Sequence, residues 1–151
     1  MNELKQKLQS DLNDAIKSRN TVVAETVRML LAAITNEEVA GKEKKELSDA
    51  EVITVLTREA KKRREAAEAF EQGGRADKAA AERAEGEVIA TYLPAQLSEA
   101  ELNKLITETI AAVGASGPGD MGKVMGALKA KVAGKADGAT VSNLVKAALA
   151  K

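Results

Sequence analysis

The sequence predicts an all-α protein, and three observations carry that expectation. Apolar residues recur at three- and four-residue spacing along most of the chain, and no segment alternates with period two over the length of a strand; only T-V-V at 21–23 and V-I-T-V at 52–55 look locally strand-like. Two Ser-x-x-Glu boxes, Ser48 with Glu51 and Ser98 with Glu101, each stand directly before an apolar run, where side chains and backbone N–H groups satisfy one another at a helix start. Gly73-Gly74, Pro94, Gly114 and Gly134 fall where such runs stop.

The first helix carries Leu4, Leu8, Leu12 and Ile16 and is broken by Ser18-Arg19-Asn20. Asn20 or Thr21 then caps a second, whose Val23, Val27, Leu30, Leu31 and Ile34 form a core-facing seam as far as about Val39. Gly41 and the charged K-E-K-K-E run make a solvated connector. The third helix starts at the Ser48 box and presents Val52, Ile53, Leu56, Ala60, Ala67 and Phe70, with Glu59 and Arg63 in i,i+4 register. After the glycine pair, a fourth helix from near Asp77 uses Ala81, Ala84, Val88, Ile89 and Tyr92 until Pro94 stops it, so the third and fourth should form an antiparallel hairpin. The fifth helix places Leu102, Leu105, Ile106, Ile110 and Val113 inward and ends at Gly114. A sixth is capped by Asp120 and carries Met121, Val124, Met125, Leu128 and Val132; a seventh is capped by Asp137 and carries Val141, Leu144, Val145, Ala148 and Leu149. The reading is therefore two helical subdomains: an N-terminal bundle with its hairpin over 1–93, and a small three-helix unit over 94–151.

Composition narrows the function classes. The 23 basic residues balance 23 acidic ones, but six lysines face two aspartates after residue 108, a net +4 that leaves −4 upstream. A locally basic surface of this kind suits phosphate even on a neutral molecule. The absence of Cys and His excludes disulfides, thiol nucleophiles, His-based acid–base catalysis and the commonest zinc sites, so no metal or cofactor is expected. With one Phe, one Tyr and no Trp there is almost nothing on which to stack exposed bases. No apolar run approaches a membrane span and the amphipathic start does not read as a signal peptide, so a cytoplasmic protein is expected. Carboxylate pairs such as Glu37-Glu38 lie on polar, exposed-looking stretches, and no credible catalytic set emerges.

Glycine concentrates between 114 and 143, where seven of the eleven glycines stand among Lys123, Lys129, Lys131 and Lys135. Gly122 and Gly126 lie one turn apart on a single helix face. Each costs a helix interior about 1 kcal/mol relative to alanine, which implies close packing or a ligand lying on bare backbone. The segment G-P-G-D-M-G-K at 117–123 matches a phosphate loop up to its last position. There Val124 replaces the Mg²⁺-binding hydroxyl, and no strand precedes it, so a loop and helix start is the better reading.

The strings V-G-A at 113–115, D-M-G-K-V-M-G at 120–126 and G-K-A-D-G at 134–138, followed by Asn143, resemble the C-terminal part of the YqeY family. That part recurs as the tail of the B subunit of glutamine-dependent tRNA amidotransferase. Y-L-P-A-Q-L-S at 92–98 fits the family's junction, so the resemblance spans essentially the whole chain. It implies a non-catalytic tRNA-binding or tRNA-associated accessory protein, partnering tRNA and possible amidotransferase or aminoacyl-tRNA machinery, with no DNA role. The amidotransferase's carbon–nitrogen ligase chemistry belongs to a catalytic domain for which this chain is too short.

Lys123, Lys131 and Lys135, with Lys129 nearby, are the candidate phosphate contacts, and Gly122 and Gly126 the positions of close approach. Asn143 either donates to ribose or phosphate or bridges Gly134 and Gly138 internally. The run Lys61-Lys62-Arg63-Arg64, interspersed with Glu59, Glu65 and Glu68, reads as the wet face of the third helix rather than a second RNA contact. Two alternatives stay open: a protein–protein adaptor using Met121 and Met125 as adaptable contacts, and an accessory subunit in amidotransferase-type chemistry whose active site lies on another chain.

Overall fold

The computed structural model describes residues 3–150; Met1, Asn2 and Lys151 lie outside the described residues. Among those described, every regular element is helical: α1 (Glu3–Lys17), α2 (Thr21–Glu38), α3 (Asp49–Gln72), α4 (Ala76–Ala90), α5 (Glu99–Val113), α6 (Met121–Val132) and α7 (Gly138–Leu149), with a 3₁₀ turn at Pro118–Asp120. Cα packing groups them into two compact units, Met1–Pro94 and Ala95–Lys151.

Unit 1 forms because the helix signals agree with the apolar seams. Asn20 accepts from the Val23 N–H at 3.3 Å to start α2, and the Ser48–Glu51 box closes reciprocally at the start of α3. The core gathers Leu8, Val27, Leu30, Ile34, Leu47, Val52, Val55, Leu56 and Ile89. Burying each such side chain is worth roughly 1.5–3 kcal/mol against leaving it exposed. Gly73 and the left-handed Gly74 (φ 76°) turn the chain so that α3 and α4 pack side by side.

Five expectations for this unit are corrected. Ile16 is 47 % exposed while Ala15 is buried. A four-residue step overshoots the helical repeat by about 40°, so the leucine stripe rotates off the core by its last member. On α4 the buried residues are Ala79 and Ile89, and Ala81 is exposed. That helix ends at Ala90, so Tyr92 lies beyond it; its hydroxyl donates to Asp11 at 2.6 Å, with Lys7 Nζ 5.1 Å from the ring centroid. Glu38 is not on an exposed stretch: it is 3 % exposed and takes Lys5 Nζ at 2.9 and 3.1 Å. Glu59 and Arg63 do not lie on a wet face either, since Glu59 is 8 % exposed and the Arg63 side chain 18 %.

Unit 2 packs α5, α6 and α7 around Leu102, Ile106, Val124, Leu128, Val132, Val141, Val145 and Leu149. The Ser98–Glu101 box starts α5, and Gly114 ends it in the left-handed region at φ 68°. Asp137 starts α7 by accepting from the Thr140 N–H at 3.1 Å. No helix among the described residues is long and apolar enough to cross a membrane.

Candidate nucleic-acid interface

The glycine–lysine stretch builds α6 and its two flanking turns. Before the helix, Pro118 opens the 3₁₀ turn that runs straight into Met121. Asp120 occupies the N-cap position but does not cap the helix, which corrects the sequence reading. Its carboxylate turns back and accepts from the Ser116 N–H at 2.9 Å and the Ser116 hydroxyl at 3.4 Å. The Ser116 backbone bond holds this carboxyl below its ordinary range against the opposing effect of burial, and the Lys123 charge helps. No strand precedes this turn among the described residues, so the phosphate-loop match lacks its strand–loop–helix setting.

After the helix, Gly134 takes φ 72°, and the N–H groups of Lys135 and Ala136 return to the Val132 carbonyl at 2.9 and 3.2 Å. The same turn is gripped from the segment before α5. Gln96 Nε2 donates to the Gly134 carbonyl at 2.7 Å, and the Leu97 N–H donates to the Lys135 carbonyl at 2.9 Å. Lys135 thus stands on fixed backbone. Gln96 was missed by sequence reasoning, although it lies inside the Y-L-P-A-Q-L-S string, because nothing local tells a polar linker residue that its partner is 38 positions away.

Around α6, Val124, Leu128 and Val132 are the buried edge. At about 100° per residue, the opposite side carries Gly122, Gly126, Ala130 and Ala133. Lys129 lies about 20° to one side of Gly122, Lys123 about 100° to the other, and Lys131 some 80° beyond Lys123. All these residues are exposed. The face is therefore smooth backbone bordered by Lys129 and Lys123, whereas Lys131 stands on the far side of the helix, about 180° from Gly122 and next to the edge that carries Val124.

A methyl group built on Gly122 or Gly126 would meet nothing within 4 Å. Packing inside the molecule does not explain either glycine. Among the described residues, no ion pair within 4.0 Å engages Lys123, Lys129, Lys131, Lys135 or Lys146. Asn143 lies on the exposed side of α7, and its amide makes no hydrogen bond among the described residues, so Gly134 and Gly138 are not bridged by it. Met121 and Met125 are partly buried against the unit's own core.

Fold and surface together define a helical protein with a basic, glycine-faced helix in its second unit. The YqeY-like protein family model matches residues 5–149, and the chain belongs to that family. No curated protein matches the chain.

Proposed function

We propose that the protein is a non-catalytic tRNA-binding or tRNA-associated accessory factor that lays α6 against the phosphate–ribose surface of a folded RNA. The observation that carries this is Gly126, a helix-interior glycine, together with Gly122 in the first turn of α6: both face outward with open space where a side chain would be. The helix-propensity cost of Gly126, about 1 kcal/mol, has no compensation inside the molecule, and close contact with a partner supplies one. The lysines bordering the face suit a polyanion recognised by shape and backbone, as structured RNA is. Resemblance to the amidotransferase B-subunit tail points to tRNA in particular. Lys123 and Lys129 are the phosphate contacts of the glycine face in this reading, Lys131 and Lys135 contact phosphates beyond it, and Asn143 is a ribose or phosphate donor.

The test is titration with folded tRNA at two salt concentrations. Replacing Lys123, Lys131 and Lys135 together by alanine is expected to weaken binding and flatten the salt slope by about 2–3 in total, roughly 0.7–0.9 for each phosphate that is no longer neutralised. An unchanged slope rejects the assignment. Met121 and Met125, which the adaptor reading needs as free contacts, pack partly into the core, and nothing else favours that reading. Capture of an amidotransferase subunit that survives ribonuclease treatment would shift the role to an accessory subunit of that chemistry.

A further inference from the structure

Arg63 of α3 occupies a core-facing position: it falls in phase with Leu56, Ala60 and Ala67, and its guanidinium contacts the Met29 sulfur of α2. Three carboxylates share this one cation. Glu59 Oε2 lies 3.8 Å from it along the same helix, while Glu82 Oε2 and Glu85 Oε2 approach from α4 at 3.6 and 3.5 Å. None of these contacts closes to a good charge-assisted hydrogen bond, for which about 2.7–2.9 Å is usual. Glu59 Oε2, Glu82 Oε2 and Arg63 Nε are all buried without a hydrogen-bond partner. The other charges facing the cluster are Lys62 of α3, 3.6 Å from Glu59 on a side chain 66 % exposed, and Glu25 of α2, whose charge acts on Glu85. Negative charge therefore exceeds positive where α2, α3 and α4 meet, and two carboxylate oxygens there lack a donor.

We infer that this cluster is an acid-responsive joint: on mild acidification Glu85 takes up a proton, and the α3–α4 hairpin is held more tightly. A neutral Glu85 removes one of the surplus charges from a cluster in which three carboxylates face Arg63. Burial pushes the Glu85 carboxyl up, the Glu82 charge adds to this, Arg63 opposes it, and Glu25 pushes up again. The folded chain thus holds this proton more tightly than the unfolded one. The stabilisation is complete below the ordinary glutamate range and is lost as pH rises through the elevated value.

The experiment uses the full chain. Side-chain carboxyl NMR follows Glu85 through its titration, and amide hydrogen exchange, corrected for intrinsic rate, measures protection in α3 and α4 at pH 7 and pH 5 with α5–α7 as internal reference. Glu85 is expected to titrate above the ordinary glutamate range, and α3–α4 protection to be higher at pH 5 than at pH 7 relative to the reference. Glu85→Gln should hold the acid level of protection at both pH values. Titration of Glu85 in the ordinary range, protection that is flat or falls, or a pH response that survives Glu85→Gln would each overturn the inference. Should the variant not fold, the wild-type carboxyl titration decides alone.

Discussion

In unit 1 charged side chains are drawn inward and matched across helices: Lys5 with Glu38 between α1 and α2, Arg63 with Glu82 and Glu85 between α3 and α4, and Tyr92 with Asp11. In unit 2 the lysines of α6 stand outside a core that is apolar apart from Thr109 and the capping Asp137, and among the described residues no acid within 4.0 Å holds them. Both units are small helical assemblies, so the difference is not a demand of the fold. Cross-helix charge pairs fix which helix meets which, whereas exposed lysines beside bare glycine contribute little to folding and leave charge available to an anion. Unit 1 uses its buried charges to join its own helices; α6 of unit 2 presents its lysines outward.

The comparison breaks most visibly at Arg63. Arg63→Ala leaves Glu59, Glu82 and Glu85 without their common cation in a poorly solvated layer. It is expected to destabilise unit 1 by about 3 kcal/mol, seen as a lower urea midpoint. Arg63→Lys keeps the charge but loses the planar fork, and should fall between the two. A smaller effect is expected in unit 2 from Asp137→Ala. Loss of the N-cap to Thr140 costs about 1 kcal/mol and frays the first turn of α7, which proton exchange at the 138–141 amides would report.

Helix number and type were legible in the sequence because the seams and caps are local: both Ser–Glu boxes, the Asn20 and Asp137 caps and the left-handed glycines stand where pattern placed them. What failed was the interior of the α3–α4 hairpin. Its inward face on α4 carries Glu82, Glu85 and Gly86 between Ala79 and Ile89, so a search for apolar period selected Ala81 instead. Glu38 and Glu59 were misplaced for the same reason. A buried carboxylate is recognisable only through its cation, and Lys5 is 33 positions from Glu38. At the candidate interface the sequence supplied the lysines and glycines, but not that the glycine face is open, because packing partners outside a helix leave no mark on its own period. The failed Asp120 cap has a closer cause: Ser116 competes for the same carboxylate four residues upstream.

The finest test sets one glycine of each unit against the other. Gly86 and Gly126 are both helix-interior glycines; a methyl on Gly86 would sit 3.8 Å from the Arg63 Cβ, an ordinary contact, and one on Gly126 would touch nothing. Alanine at either place is therefore expected to stabilise its unit by up to about 1 kcal/mol, read from the thermal or urea midpoint. The two should part on function. Gly86→Ala leaves tRNA affinity unchanged, because its neighbour belongs to the protein. Gly126→Ala raises stability and lowers affinity together, because the methyl stands in the gap where RNA backbone is to lie. If Gly126→Ala binds as tightly as the wild type, the open face is not a contact surface, and the lysines around it must act, if at all, through charge alone.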